Sequence, residues 1–372
     1  MIRWNRGIKN WQSLIGGMLL GLWLPLSGLW SPHLSWAQTP FEQGLAAYQA
    51  GLYQAAIAHW QTALTTADGI EQEATIRGNL AIAYYETGQY QQAIAANQTA
   101  ISQFTSLNQP AAVGQVQSNL GNVYEALGTY GRAIDMYKSA LEIAQQSGNR
   151  VSEGVSLGNL GYLYFLQGER EQALVAYQES LAIAEETGDR EGAGHRYFNL
   201  GIAHHVVNDF RLAREAYQRS LAIATDIGHL TLQAKVLGGL GMLEDDQGNI
   251  ERAIAYYEAS LPISEQLENP ELRARLLNNF GHALLAANRL DEAEAQLRSA
   301  IAYMESLRDD LGDRESVSIF DTQIYTYNLL TQILVAKDEP EAALEVAEAG
   351  RAQAFSQLLL SRLSRTEGLE NP

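Results

Sequence analysis

The sequence predicts an all-α fold of about eight antiparallel helix hairpins stacked in chain order, and three spacings carry that reading. A triplet recurs every 40 residues: Asn79-Leu80-Ala81, Asn119-Leu120-Gly121, Asn159-Leu160-Gly161, Asn199-Leu200-Gly201, Gly239-Leu240-Gly241 and Asn279-Phe280-Gly281. Nine residues after each triplet opens comes a turn residue: Gly88, Gly128, Gly168, Asn208, Gly248 and Asn288. Five further on stands alanine (93, 133, 173, 213, 253, 293), and four beyond it Tyr137, Tyr177, Tyr217 and Tyr257, with Asn97 and Leu297 as exceptions. A fixed period of this length is the signature of a repeat array.

Each unit reads as two helices. Leu120 and Tyr124, four apart, share one helix face with Gly121 beside them, and a small residue there lets the partner helix approach closely. Glycine or asparagine ends the first helix because both accept the left-handed conformation of a C-terminal cap. Ala133, Tyr137 and Ala140-Leu141 make the matching stripe on the second helix, and Gly148, Gly188 and Gly228 close their units. A single hairpin cannot bury these faces, so neighbours must stack.

Two weaker units flank the six regular ones. Gly44, Gly51, Ala56 and Trp60 reproduce the register at a spacing of 37. Leu330, Leu334, Asp338 and Ala343 repeat it at a spacing of 50, with the ten extra residues expected to lengthen helices between Ile301 and Gln323. The expected organisation is a targeting segment over 1–37, the repeat array over 38–304, an atypical last hairpin over 305–363 and a frayed polar tail over 364–372. The targeting reading rests on Arg3, Arg6 and Lys9, an apolar run from Leu14 to Trp30, and small residues in Ser35-Trp36-Ala37 before Gln38. It is either a cleaved secretory signal or an uncleaved anchor, and both export the chain to a periplasm, lumen or cell surface.

Composition excludes several function classes. The chain has 372 residues and a formal charge of −18, which opposes binding to a phosphate backbone. It has no cysteine, so disulfides, thiolate metal sites and cysteine nucleophiles are absent. Its glycines stand singly in turns rather than as a phosphate loop. His204 and His205 point about 100° apart on a helix, so with His195 and His282 they give no metal-binding spacing. No cofactor, metal site or enzyme activity is expected.

With Leu, Gly, Tyr and Ala at these offsets, residues 41–350 resemble the tetratricopeptide repeat family, in a subtype with 40-residue units similar to kinesin light chains and LGN/Pins scaffolds. The resemblance implies a right-handed superhelical solenoid whose first helices line a concave groove for peptides. Residues Tyr303–Arg308, Tyr325, Asn328–Leu330 and Ala347–Ala354 look like the linker that precedes a CHAT domain, a caspase-like module, in bacterial repeat proteins.

By the same resemblance, the groove is lined by the Asn position, the residue four before it and those three and six after it. Asn79, Asn119, Asn159, Asn199 and Asn279 then form a ladder of amides able to donate to and accept from a peptide backbone. His195, Lys235 and Arg275, 40 apart, form a basic lane suited to an acidic segment or a free C-terminal carboxylate, partly offset by Asp245. Tyr85, Tyr162 and Phe165 project into the same groove, with Ile202 and Met242. The expected function is a non-catalytic scaffold for a protein or peptide partner outside the cytoplasm. The sensor half of a CHAT-type effector system, or an assembly factor for a membrane complex, are the alternatives. Nucleic acid is not an expected partner, membrane contact comes only through an uncleaved N-terminus, and the amphipathic end near Ala354–Leu363 is a candidate for self-association.

Overall fold

The computed structural model describes residues 39–267, 269–310 and 316–367, with side chains described up to 306 and from 323 to 355. Contacts divide the chain between Gly188 and Asp189 into two compact units. In the first, the helices are α1 (Pro40–Gln49), α2 (Tyr53–Thr65), α3 (Ile70–Glu86), α4 (Tyr90–Ser106), α5 (Pro110–Ala126), α6 (Tyr130–Ser147), α7 (Arg150–Gln167) and α8 (Arg170–Thr187). In the second they are α9 (Arg190–Val206), α10 (Phe210–Asp226), α11 (Leu230–Asp246), α12 (Ile250–Glu265), α13 (Pro270–Ala286), α14 (Leu290–Asp310), α15 (Ser316–Ala336) and α16 (Pro340–Glu367). The described residues thus hold eight hairpins, four in each unit, and no strand.

The chain turns where the register places a residue tolerant of positive φ. Gly88, Gly128, Gly168, Asn208, Gly248, Asn288 and Asp338 have φ between +59° and +80°. At each, the following amide bonds back to a carbonyl five residues earlier, as in Gln89 N to Tyr84 O at 2.8 Å and Glu339 N to Leu334 O at 2.9 Å. That bond satisfies a carbonyl that the helix end would otherwise orphan. Helix starts are equally local. Thr39 and Glu42 form a reciprocal capping box, Pro110 and Pro270 occupy first-turn positions, and Asn149, Asp189, Asp209 and Asn269 cap with their side chains.

The small residue of the triplet faces the aromatic of its own hairpin. A methyl group added to Gly121 would lie 2.6 Å from the Tyr137 ring, and one on Gly161 2.8 Å from Tyr177. Gly241 meets Tyr257 in the same way at 2.7 Å. Those rings, with Tyr217, are fully buried. The second hairpin, where Asn97 replaces the ring, carries Ala81 instead of glycine. Ring and missing methyl are therefore two halves of one packing decision. Trp60 fills the same place against Gly44 in the first hairpin.

Within each unit, first helices also touch first helices: α3 with α5, α5 with α7, α9 with α11, α11 with α13 and α13 with α15. Second helices show no comparable packing with one another, so the first helices form a closer-spaced layer on which consecutive repeats present side chains together.

At the C-terminal end, α14 and α15 run 21 residues each, against 17 or 18 for most others, which takes up much of the irregular step of 50. Helix α14 passes without interruption through the expected boundary at 304/305, and α16 continues to Glu367, past the start of the expected tail at 364. No helix of the described residues is long and apolar enough to cross a membrane. The targeting segment over 1–37 and the side chains of the self-association face near Ala354–Leu363, beyond Phe355, lie outside the described residues.

Candidate functional site

The amide ladder sits deeper than a groove lining. Asn79, Asn119 and Asn199 are buried, with 7%, 9% and 1% of their surface exposed, while Asn159 and Asn279 are half-buried. Gly239 shows which way this column points: a methyl group there would lie 3.1 Å from the Tyr217 ring of the preceding hairpin. The column thus lies at the seam between consecutive hairpins. Asn279 accepts a bond from Asn278 Nδ2 at 3.1 Å, and the Asn119 Nδ2 group is buried without a hydrogen-bond partner.

The basic lane is a real column, but its charges differ from the exposed cations that spacing suggests. Lys235 and Arg275 are each 92% buried, and His195 is half-buried. Burial, aided by Arg196, His229 and Lys235, pushes the His195 imidazole down to about 3, so it is neutral at physiological pH. Burial and the Arg275 guanidinium push Lys235 down to about 8. Arg275 Nη1 lies 3.5 Å from Glu271 Oε1, and its Nε has no hydrogen-bond partner. Lys235 makes no hydrogen bond or ion pair among the described residues. The lane therefore holds one paired cation, one partly discharged amine and one neutral ring. Register could align the three residues, but only packing sets their charge.

His195 also belongs to the one group of metal-capable donors among the described residues. Glu191 Oε1 lies 4.0 Å from His195 Nε2 and 3.5 Å from His229 Nε2. His229 caps α11, its Nδ1 accepting the Leu232 amide at 3.2 Å, which leaves the proton on Nε2. A metal would have to displace that proton and the cap, so the arrangement is a polar cluster closing a helix start.

Three and six residues beyond the Asn position, the first-helix layer carries half-buried side chains. In the first unit these are Tyr85 on α3, Asn122 and Glu125 on α5, and Tyr162 and Phe165 on α7. In the second they include Met242, Asp245 and His282, with His282 Nδ1 2.8 Å from Asp245 Oδ2 across consecutive repeats. Ile202, expected in this lane, is fully buried and serves the core.

Glu125 was not singled out by sequence reasoning, although it occupies the same register position as Tyr85 and Phe165. Its Oε2 accepts the Tyr137 hydroxyl at 2.9 Å, and that hydroxyl also lies 2.6 Å from Asn122 Oδ1. Burial pushes the Glu125 carboxyl up to about 7, with the Tyr137 bond acting the other way. A folded-state value above the unfolded one means the native state binds the extra proton. Stability from this group is then fully present below about pH 4.5 and lost as pH rises through 7. Glu125→Gln, which mimics the protonated form, is expected to raise Tm by about 2–4 °C at pH 8 and to leave it unchanged at pH 4.5. Thermal unfolding at the two pH values checks this, and an equal shift at both would contradict it.

The tetratricopeptide repeat profile matches residues 37–106, 112–186, 154–226 and 232–306, well over half the chain. The chain therefore belongs to the tetratricopeptide repeat family, a class of helical-hairpin proteins consistent with protein–protein interaction. Tetratricopeptide repeat protein 28 of Mus musculus and of Homo sapiens are each 39% identical to it over 82 residues, 22% of this chain but only 3% of those much longer relatives. Among solved structures, BtubC from P. vanneervenii is similar at 21% identity and TM-score 0.52, over 59% of this chain and 92% of that one. RapI matches at 15% and 0.57, over 73% and 98%. A STAND protein from Pyrococcus horikoshii with a tetratricopeptide repeat sensor matches at 17% and 0.58, over 82% and 44%. At these identities the likeness concerns the fold alone.

Proposed function

We propose that the chain is a non-catalytic scaffold that holds a polypeptide partner against its first-helix layer, outside the cytoplasm. The observation that carries this is the collection of half-buried aromatic and polar side chains on consecutive first helices at two register positions, Tyr85, Glu125 and Phe165 among them. Outside α9, where Ile202 and His205 hold these positions and are buried, side chains three and six residues past the Asn position have no packing duty comparable to that of the buried tyrosines. Asn159 and Asn279, half-buried at the edge of the same layer, supply amides for a peptide backbone. Export is supported by the basic start, apolar run and small-residue exit of residues 1–37.

A carboxylate on the partner is favoured by Lys235, a buried amine without a partner of its own beside Arg275. A bound carboxylate would restore the ammonium charge that burial disfavours.

The test is cross-linking of a tagged full-length chain in intact cell envelopes, followed by mass spectrometry. Partner cross-links are expected to fall on α3, α5, α7, α9, α11 and α13. Cross-links confined to second helices, or recovery of the chain only from the cytoplasm, would overturn the reading. Lys235→Met is expected to weaken capture of partner peptides with a free C-terminal carboxylate, while leaving their amidated forms unaffected.

A further inference from the structure

In the first unit, Glu125 is a carboxylate set among tyrosines with no cation to balance it. Its only hydrogen-bond partner among the described residues is the Tyr137 hydroxyl, and no lysine or arginine among them forms an ion pair with it. Tyr137 is immobilised beneath, fully buried against Gly121. Tyr130 and Tyr162 pack on the same apolar cluster as Tyr137, and both remain half-buried. Tyr85 occupies the register position of Glu125 one repeat earlier and Phe165 the position one repeat later, on helices that touch α5. The carboxylate is also near enough to the Tyr130, Tyr137 and Tyr162 hydroxyls that its charge opposes ionisation of each.

A half-buried carboxylate needs a counter-charge, and aromatic faces attract cations. We propose that Glu125, with the rings of Tyr85, Tyr130 and Tyr162, forms a pocket for a cationic side chain, the ammonium of a lysine or the guanidinium of an arginine presented by a bound polypeptide. The occupant follows from complementarity. The pocket supplies one anion and several π-faces and contains no cation, and a chain of formal charge −18 draws basic segments toward it. Tyr137 and Asn122 are positioning residues: the hydroxyl holds the carboxylate at one orientation, and the amide holds the hydroxyl. This rests on the reading that the first-helix layer receives a polypeptide, and it names one side chain that the partner must offer.

The test uses the full chain and blocked pentapeptides, Gly-Ser-X-Ser-Gly, in which X is lysine, arginine or norleucine, titrated by calorimetry at pH 8 and in 0.15 M and 0.5 M salt. Lysine and arginine peptides are expected to bind at least about tenfold tighter than the norleucine peptide. Glu125→Gln should erase that preference, and Tyr162→Leu should reduce it. Glu171→Gln, an exposed glutamate on α8, should leave it intact. Equal binding of the norleucine peptide, no saturable binding of any peptide, or a preference that survives Glu125→Gln would each overturn the cation pocket. Because the cross-linking above reads partner contact with the whole first-helix layer in either case, failure of the pocket and failure of the scaffold reading are distinguishable.

Discussion

Arg214→Met is expected to lower the unfolding free energy by about 3 kcal/mol, among the largest effects of any single substitution in the second unit. Arg214 on α10 reaches Glu244 on α11, whose side chain is 1% exposed, and its other nitrogen donates to Gln247 Oε1 at 3.1 Å. Asn249 Nδ2 donates to the second Glu244 oxygen at 2.8 Å. Burial disfavours the Glu244 anion, but the Arg214 and Asn249 bonds outweigh it and hold the carboxyl below its ordinary range. Removing the arginine leaves a buried carboxylate with one neutral donor, which is the costly way to break an ion pair. The depressed carboxyl contributes stability above its unfolded value and loses it as pH falls, so the deficit of the variant should shrink on acidification toward pH 4. Forty residues later the same two positions hold Ile254 and Leu284, both buried in one apolar cluster. The double variant Arg214→Ile/Glu244→Leu copies that pair and is expected to be as stable as the parent or more so. Urea unfolding of the parent and the two variants checks this. A single variant within about 0.5 kcal/mol of the parent would show that the pair contributes nothing.

Tyr217→Ala is expected to cost about 3–5 kcal/mol, because the ring is fully buried and lies between two glycines that cannot fill the space. A methyl group would lie 2.5 Å from the ring at Gly201 and 3.1 Å at Gly239. The hydroxyl behaves differently. In Tyr217 it is buried without a hydrogen-bond partner, so Tyr217→Phe should be neutral or stabilising by up to about 1 kcal/mol. At the equivalent Tyr137, the hydroxyl bonds Glu125 and Asn122, and Tyr137→Phe should cost about 1–2 kcal/mol. One substitution at equivalent positions of two repeats thus separates ring packing from hydroxyl bonding. A loss above about 1 kcal/mol in Tyr217→Phe would mean that the hydroxyl is bonded after all.

The hairpins were legible because their signals are local. A residue tolerant of positive φ must stand at the turn, and a methyl group must be missing where a ring enters, so Gly128 and the Gly121–Tyr137 pair declare themselves in one dimension. The irregular last step was partly legible for the same reason, since extra residues were expected to lengthen the helices between Ile301 and Gln323, and α14 and α15 are longer than the common 17 or 18 residues. The candidate site was half legible. Register aligned Tyr85, Tyr162 and Phe165 on one layer, and by the same arithmetic it aligned Glu125, which drew no notice because one glutamate in an acidic chain has no distinguishing type. What marks Glu125 is the absence of any ion-pair partner among the described residues, and that is a property of its neighbours.

Periodicity by itself thus determined the helical hairpins, their number, their turns and the rings at their centre, because each depends on residues within one 40-residue unit. Tertiary structure alone decided which aligned side chains carry charge and which remain accessible. His195, Lys235 and Arg275 look equivalent in the sequence, but desolvation silences the first, weakens the second and leaves the third paired with Glu271. Ionisation depends on burial and on charges from adjoining helices, which spacing along the chain does not specify.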